Sequence, residues 1–95
     1  MPIKVARKHI QQEKYDYIWK VDKGDGVYTG IRSKKKIDKY EGYEVLYFIQ
    51  TFMNKHRLNT VSAIRRIEDD LHSLELQAIE ARDDLIFEIE KKLGF

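Results

Sequence analysis

Ninety-five residues supply one hydrophobic core and not two, so the chain reads as a single domain, 1–95, and its 42% hydrophobic and 36% charged residues exclude a disordered composition. Cysteine is absent, which rules out disulfides and thiolate metal sites; "MPIKVARKHI" has no signal-peptide core and the longest apolar run is "VLYFI", so a cytoplasmic protein without a membrane span is expected. The net charge of +2 is unevenly spread: residues 1–40 carry eleven Lys/Arg against five Asp/Glu (+6) and residues 41–95 seven against eleven (−4), a dipole that can steer a partner or pair two copies.

The first third reads as strands. "IKVARKHI" alternates loosely and is a third, weaker strand candidate. Tyr15, Tyr17, Trp19 and Val21 recur at a period of two, the mark of a half-buried strand. "DKGDG" collects two glycines and two aspartates in a turn, and "VYTGIR" returns with Val27, Thr29 and Ile31 alternating. The period places the tyrosines and Trp19 on one face and Asp16, Ile18 and Lys20 on the other. A nucleic-acid platform needs aromatic and basic groups on the same face, so this hairpin is read as a dry face packed on helices.

"SKKKI" leads into helix. Asp38 and Glu41 have the spacing of a capping box, with Asp as the cap, and predict a first helix over 39–56. Val45, Leu46, Phe48, Ile49, Phe52 and Met53 fall within an arc of about 160°, a core-facing stripe. Thr60 offers the next N-cap. From Val61 to Leu93 no Gly or Pro intervenes, and Ile64, Ile67, Leu71, Leu74, Ala78, Ala81 and Leu85 keep a coiled-coil spacing. That seam leaves Leu76, Ile79, Ile86 and Phe87 outside it. Ser73, with Glu75 behind it, favours a break at His72–Ser73 and a third helix over 74–93, stopped by Gly94. The fold class expected is therefore α+β: a short antiparallel sheet of two to three N-terminal strands, then three helices packed on one face.

Little in the chain points to catalysis. "GDG" at 24–26 continues into neither a phosphate loop nor a dinucleotide fingerprint, and its glycines fill positions that a calcium loop needs acidic. His9, His56 and His72 are scattered, with no metal-binding spacing. Glu68 and His72 are one helical turn apart, which predicts an exposed surface pair worth ~0.2–0.5 kcal/mol. In "EDD" at 68–70 the charge is expected to be neutralised by Arg65 and Arg66. His56, near the end of the first helix, is expected to cap it or to interact with its dipole. No enzyme, cofactor or metal is expected.

Two surfaces remain for binding. Tyr40, Tyr43 and Tyr47, with Gln50 and Asn54, lie within ~80° of one another on the face opposite the apolar stripe, and exposed tyrosine rows suit protein interfaces. These five are the expected partner interface, and a second copy of the chain is the expected partner. The alternative is a nucleic-acid-binding protein whose basic third (Arg7, Lys8, Arg32, Lys34, Lys35, Lys36 and Lys39) holds a phosphate backbone without reading sequence. The function expected is a non-catalytic interaction module, homodimeric, with no membrane partner.

Overall fold

The computed structural model describes residues 4–19 and 36–95. Among them are three α-helices: α1 (Gly42–His56), α2 (Val61–Leu71) and α3 (Arg82–Leu93), with short 3₁₀ turns at Arg7–His9 and Leu74–Leu76. No helix among the described residues is long and apolar enough to cross a membrane.

The expected sheet is absent from the described residues, and α+β gives way to a mainly helical fold. Two isolated bridges are the whole of the β-type pairing there: Ile18 with Glu41, parallel, and Lys36 with Ala81, antiparallel. The alternation itself is real. Tyr15, Tyr17 and Trp19 are half-buried while Asp16 and Ile18 are exposed. What the period does not specify is the partner. The segment lies along helices, and its backbone meets only the entry to α1, where Ile18 N–H donates to the Tyr40 carbonyl (2.7 Å) and Gly42 N–H to the Ile18 carbonyl (2.8 Å). Of residues 3–10, expected as strand, the described part from 4 to 10 holds the Arg7–His9 turn instead. Val21, the turn at 22–26, the return strand over 27–32, and Arg32, Lys34 and Lys35 lie outside the described residues.

The contact with Ile18 also shifts the start of α1. Residues 40–42 are tied to an extended neighbour, so the helix begins at Gly42 and Glu41 is the cap, its carboxylate accepting from Tyr43 N–H at 2.5 Å. Asp38, expected as the cap, accepts from Tyr40 N–H at 3.0 Å in the turn before. At the other end Arg57 takes the left-handed conformation (φ 54°) and Leu58 N–H reaches the Met53 carbonyl at 2.9 Å, a C-terminal closure more often made by glycine.

Thr60 caps α2 as expected, its hydroxyl accepting from Ala63 N–H at 3.1 Å. The chain breaks at His72 and Ser73, so 61–93 is not one helix. The third helix is shorter than 74–93, however. Around residues 74–81 the backbone makes other bonds: Ile37 N–H donates to the Glu80 carbonyl (2.9 Å) and Lys39 Nζ to the Leu76 carbonyl (2.5 Å). Leu76 is thereby buried and Leu74 stands in solvent. Gly94 closes α3 with φ 83°, a conformation that costs glycine little.

α2 is the central element, packed against α1, α3 and the Arg7–His9 turn. The core runs through Phe48, Ile49, Phe52 and Met53 of α1, Ile64, Ile67 and Leu71 of α2, and Leu85 and Ile89 of α3, all fully buried. Each such side chain contributes roughly 1.5–3 kcal/mol on leaving water. Val5 and Ile10 enter the same core from the N-terminal segment, and Trp19 packs against its edge.

Candidate functional site

The N-terminal segment crosses the helices, and its polar side chains converge on one turn of α2. Glu68 is fully buried there. Its carboxylate accepts from Gln11 N–H (3.0 Å), from Gln11 Nε2 (3.0 Å) and from the Tyr17 hydroxyl (2.5 Å). No cation pairs with it among the described residues, so three neutral donors hold the buried carboxylate. Next to it, Asp69 accepts from Tyr15 O–H (2.7 Å), Lys14 Nζ (3.0 Å) and Gln11 Nε2 (2.9 Å). Partial burial opposes its charge, but the hydrogen bonds from Tyr15, Lys14 and Gln11 prevail and hold Asp69 below the ordinary aspartate range.

His72 completes the cluster. Its Nε2 lies 3.0 Å from the Tyr17 oxygen. With the Tyr17 hydroxyl donating to Glu68, its oxygen is left to accept from the imidazole, which assigns the Nε2–H tautomer. The ring stacks on Tyr15 with centroids 4.0 Å apart and touches Tyr40 at 5.0 Å. Burial, with Lys39 nearby, pushes the His72 pKa down to about 4, so the ring is neutral at pH 7. Burial and the adjacent carboxylates push both Tyr15 and Tyr17 up, keeping the phenols protonated. A small cleft of about 120 Å³ opens beside the ring, between Lys39, Tyr40, Leu71, Ser73 and Gln77.

This pair is not the exposed surface contact that its spacing predicts. Glu68 and His72 meet through a third residue, Tyr17, which arrives from 51 positions away in sequence. Nor do Arg65 and Arg66 neutralise Glu68 and Asp69; both arginines are exposed, and the donors come from the N-terminal segment. Only Asp70 feels Arg66 and Lys92, and burial still raises its carboxyl above the usual value. His56 interacts with α3 beyond its own helix: Nε2 contacts Glu90 Oε2 at 2.7 Å while the ring stacks on Phe95 at 4.0 Å.

The tyrosine row is divided. Tyr40 is half exposed, beside exposed Ile18. Tyr43 accepts a hydrogen bond from Arg7 Nη2 and meets Trp19 edge-on at 5.0 Å. Gln50 accepts from Val5 N–H at 2.7 Å and donates to Asn54 at 3.1 Å, so the N-terminal segment covers part of the row. Tyr47 is half-buried and its carbonyl receives the Thr51 hydroxyl at 2.9 Å.

The basic set separates likewise. Lys8 and Lys36 are exposed, whereas Lys39 is half-buried, bound to the Leu76 carbonyl, with burial lowering its pKa. The Arg7 guanidinium lies 4.1 Å over the Trp19 ring and 5.1 Å from the Tyr43 ring. A cation thus joins the aromatic face after all, supplied by a different stretch of chain from the one that carries the alternation. Trp19 and Tyr43 give no signal of this in sequence, since each belongs to the pattern of a different element. Among the described residues no group of three or more His, Cys, Asp or Glu side chains could hold a metal ion. Neither a family model, nor a curated protein, nor a solved structure matches the chain.

Proposed function

We propose that the chain is a non-catalytic interaction module that works as a homodimer. The observation that supports it most is the state of the reactive groups. Glu68, the buried centre of the cluster, has both carboxylate oxygens taken up in fastening the N-terminal segment to α2. A general acid or base needs a free position within hydrogen-bond reach of a substrate, and a buried carboxylate with both oxygens occupied has none. Apolar groups, by contrast, stand in solvent: Ile18, Tyr40, Leu74, Phe87 and Phe95. Ile18 N–H donates to the Tyr40 carbonyl beside the Ile18–Glu41 bridge, and Tyr40 begins the row that continues through Tyr43 and Tyr47. A second copy laid on this row would cover them, and the opposite charges of the two halves of the chain favour that approach.

Light scattering coupled to size exclusion tests the dimer. The wild type should elute with the mass of two chains. Tyr40→Glu should give one chain with an unchanged helical circular dichroism spectrum, because half of Tyr40 is already in solvent. A wild type that stays monomeric at high protein concentration would defeat the dimer.

A further inference from the structure

Arg7 has an unusual setting for a surface cation. It is exposed, on the turn Arg7–His9, yet its guanidinium lies 4.1 Å over the Trp19 ring and its Nη2 donates to the Tyr43 hydroxyl. Trp19 and Tyr43 meet at 86°, so Arg7 sits in the corner between two nearly perpendicular rings. The indole is also braced against Gly42, on which it packs so closely that a Cβ there would fall 2.5 Å from its Cε3. Among the described residues no carboxylate pairs with Arg7, and Lys4 and Lys8 flank it, both exposed.

We propose that Arg7, Trp19 and Tyr43 form a seat for single-stranded nucleic acid. In this seat the guanidinium, 4.1 Å over the indole, turns its outer side to an unpaired base as a stacking surface, while its remaining N–H groups and Lys4 and Lys8 meet the adjoining phosphates. A carboxylate from an acidic protein suits this geometry less well. It is recognised end-on by the guanidinium fork, and Tyr43 already occupies one prong of that fork. A duplex keeps its bases stacked inside and cannot present one to the plane. The seat rests on the binding-module reading and shares Tyr43 with the row proposed for the second copy, so it requires a dimer that leaves the outer side of Arg7 open.

Trp19 is the single tryptophan of the chain, which makes its fluorescence a reporter at the site itself. Titration with a short oligouridylate at low salt should quench it in a saturable way. Arg7→Ala should weaken binding about tenfold, as loss of one stacking contact does. It should also lower the slope of log affinity against log salt by about 0.7, one phosphate's share for a single strand. Arg7→Lys, which keeps the charge and loses the plane, should fall between the two and carries the test if Arg7→Ala fails to fold. Absence of quenching at low salt would overturn the seat, as would wild-type affinity in both Arg7 variants. Equal binding by a duplex of the same length would overturn the stacking, and equal binding by polyglutamate would reassign the site to an acidic partner. Oligomeric mass, measured on the same samples, separates a failure here from a failure of the module reading: loss of quenching in an intact dimer removes only the seat.

Discussion

Replacing Glu68 with leucine removes the acceptor for three donors at once while keeping a side chain of similar length. Gln11 N–H, Gln11 Nε2 and Tyr17 O–H all end on this carboxylate. A buried donor left without a partner costs roughly 1–3 kcal/mol. The low end applies to each, because Gln11 and Tyr17 are themselves only half-buried and water reaches them once the segment lifts. Three such terms give a destabilisation of about 3 kcal/mol, a large share of the roughly 5–15 kcal/mol that holds a small domain together. Glu68→Gln should cost less, about 1 kcal/mol, since the amide keeps one acceptor oxygen and the Tyr17–His72 pair can reverse: the phenol then donates to a neutral Nε2 in the other tautomer. Urea unfolding followed by circular dichroism measures both. Hydrogen exchange should localise the loss to amides between Ile10 and Tyr17. A Glu68→Leu variant within 1 kcal/mol of wild type, or one whose segment exchanges no faster, would show that burial of Val5 and Ile10 holds the segment unaided.

Two other perturbations follow from the same contacts. The folded His72 pKa of about 4 lies below the ordinary 6.5, so the folded state binds fewer protons there; stability is complete above pH 6.5 and falls as pH drops toward 4, by on the order of 2 kcal/mol for a ring that keeps some solvent contact. Glu41 and Asp70, raised by burial, act with the opposite sign in the acid range, so the measurement is the difference in urea midpoint between wild type and His72→Phe across pH 4–7, which should shrink to nothing if His72 carries no part of it. Gly42→Ala places a methyl group 2.5 Å from Trp19 Cε3 and Cζ3, inside any real contact, and should cost about 1–3 kcal/mol with a red shift in tryptophan emission as the indole is displaced. An unshifted emission maximum would mean that the ring does not rest on the start of α1.

Several features depend only on short-range chemistry and are legible in the order of residues alone. The stripe from Val45 to Met53 is a 3.6-residue period, and every member is buried. Thr60 caps through a hydroxyl three residues from its donor, Gly94 stops a helix by adopting a conformation other residues avoid, and the inward set Tyr15, Tyr17 and Trp19 follows from an extended backbone alone. What an extended segment lies against is a different kind of fact. Period two says which side chains share a face and is silent on whether a strand or a helix receives them, so it suggests a sheet where Ile18 in fact makes one bridge to the entry of α1. The same bridge moves the cap from Asp38 to Glu41, and the bonds from Ile37 and Lys39 keep residues 74–81 out of α3. Glu68 shows the division most clearly. On a helical wheel it is one more carboxylate beside two arginines; it becomes a buried anchor because Gln11 and Tyr17, distant in sequence, bring the donors that make its burial tolerable. Local periodicity orders the faces of each element, but the pairing of those faces is set by contacts between distant parts of the chain, and only the folded chain holds them together.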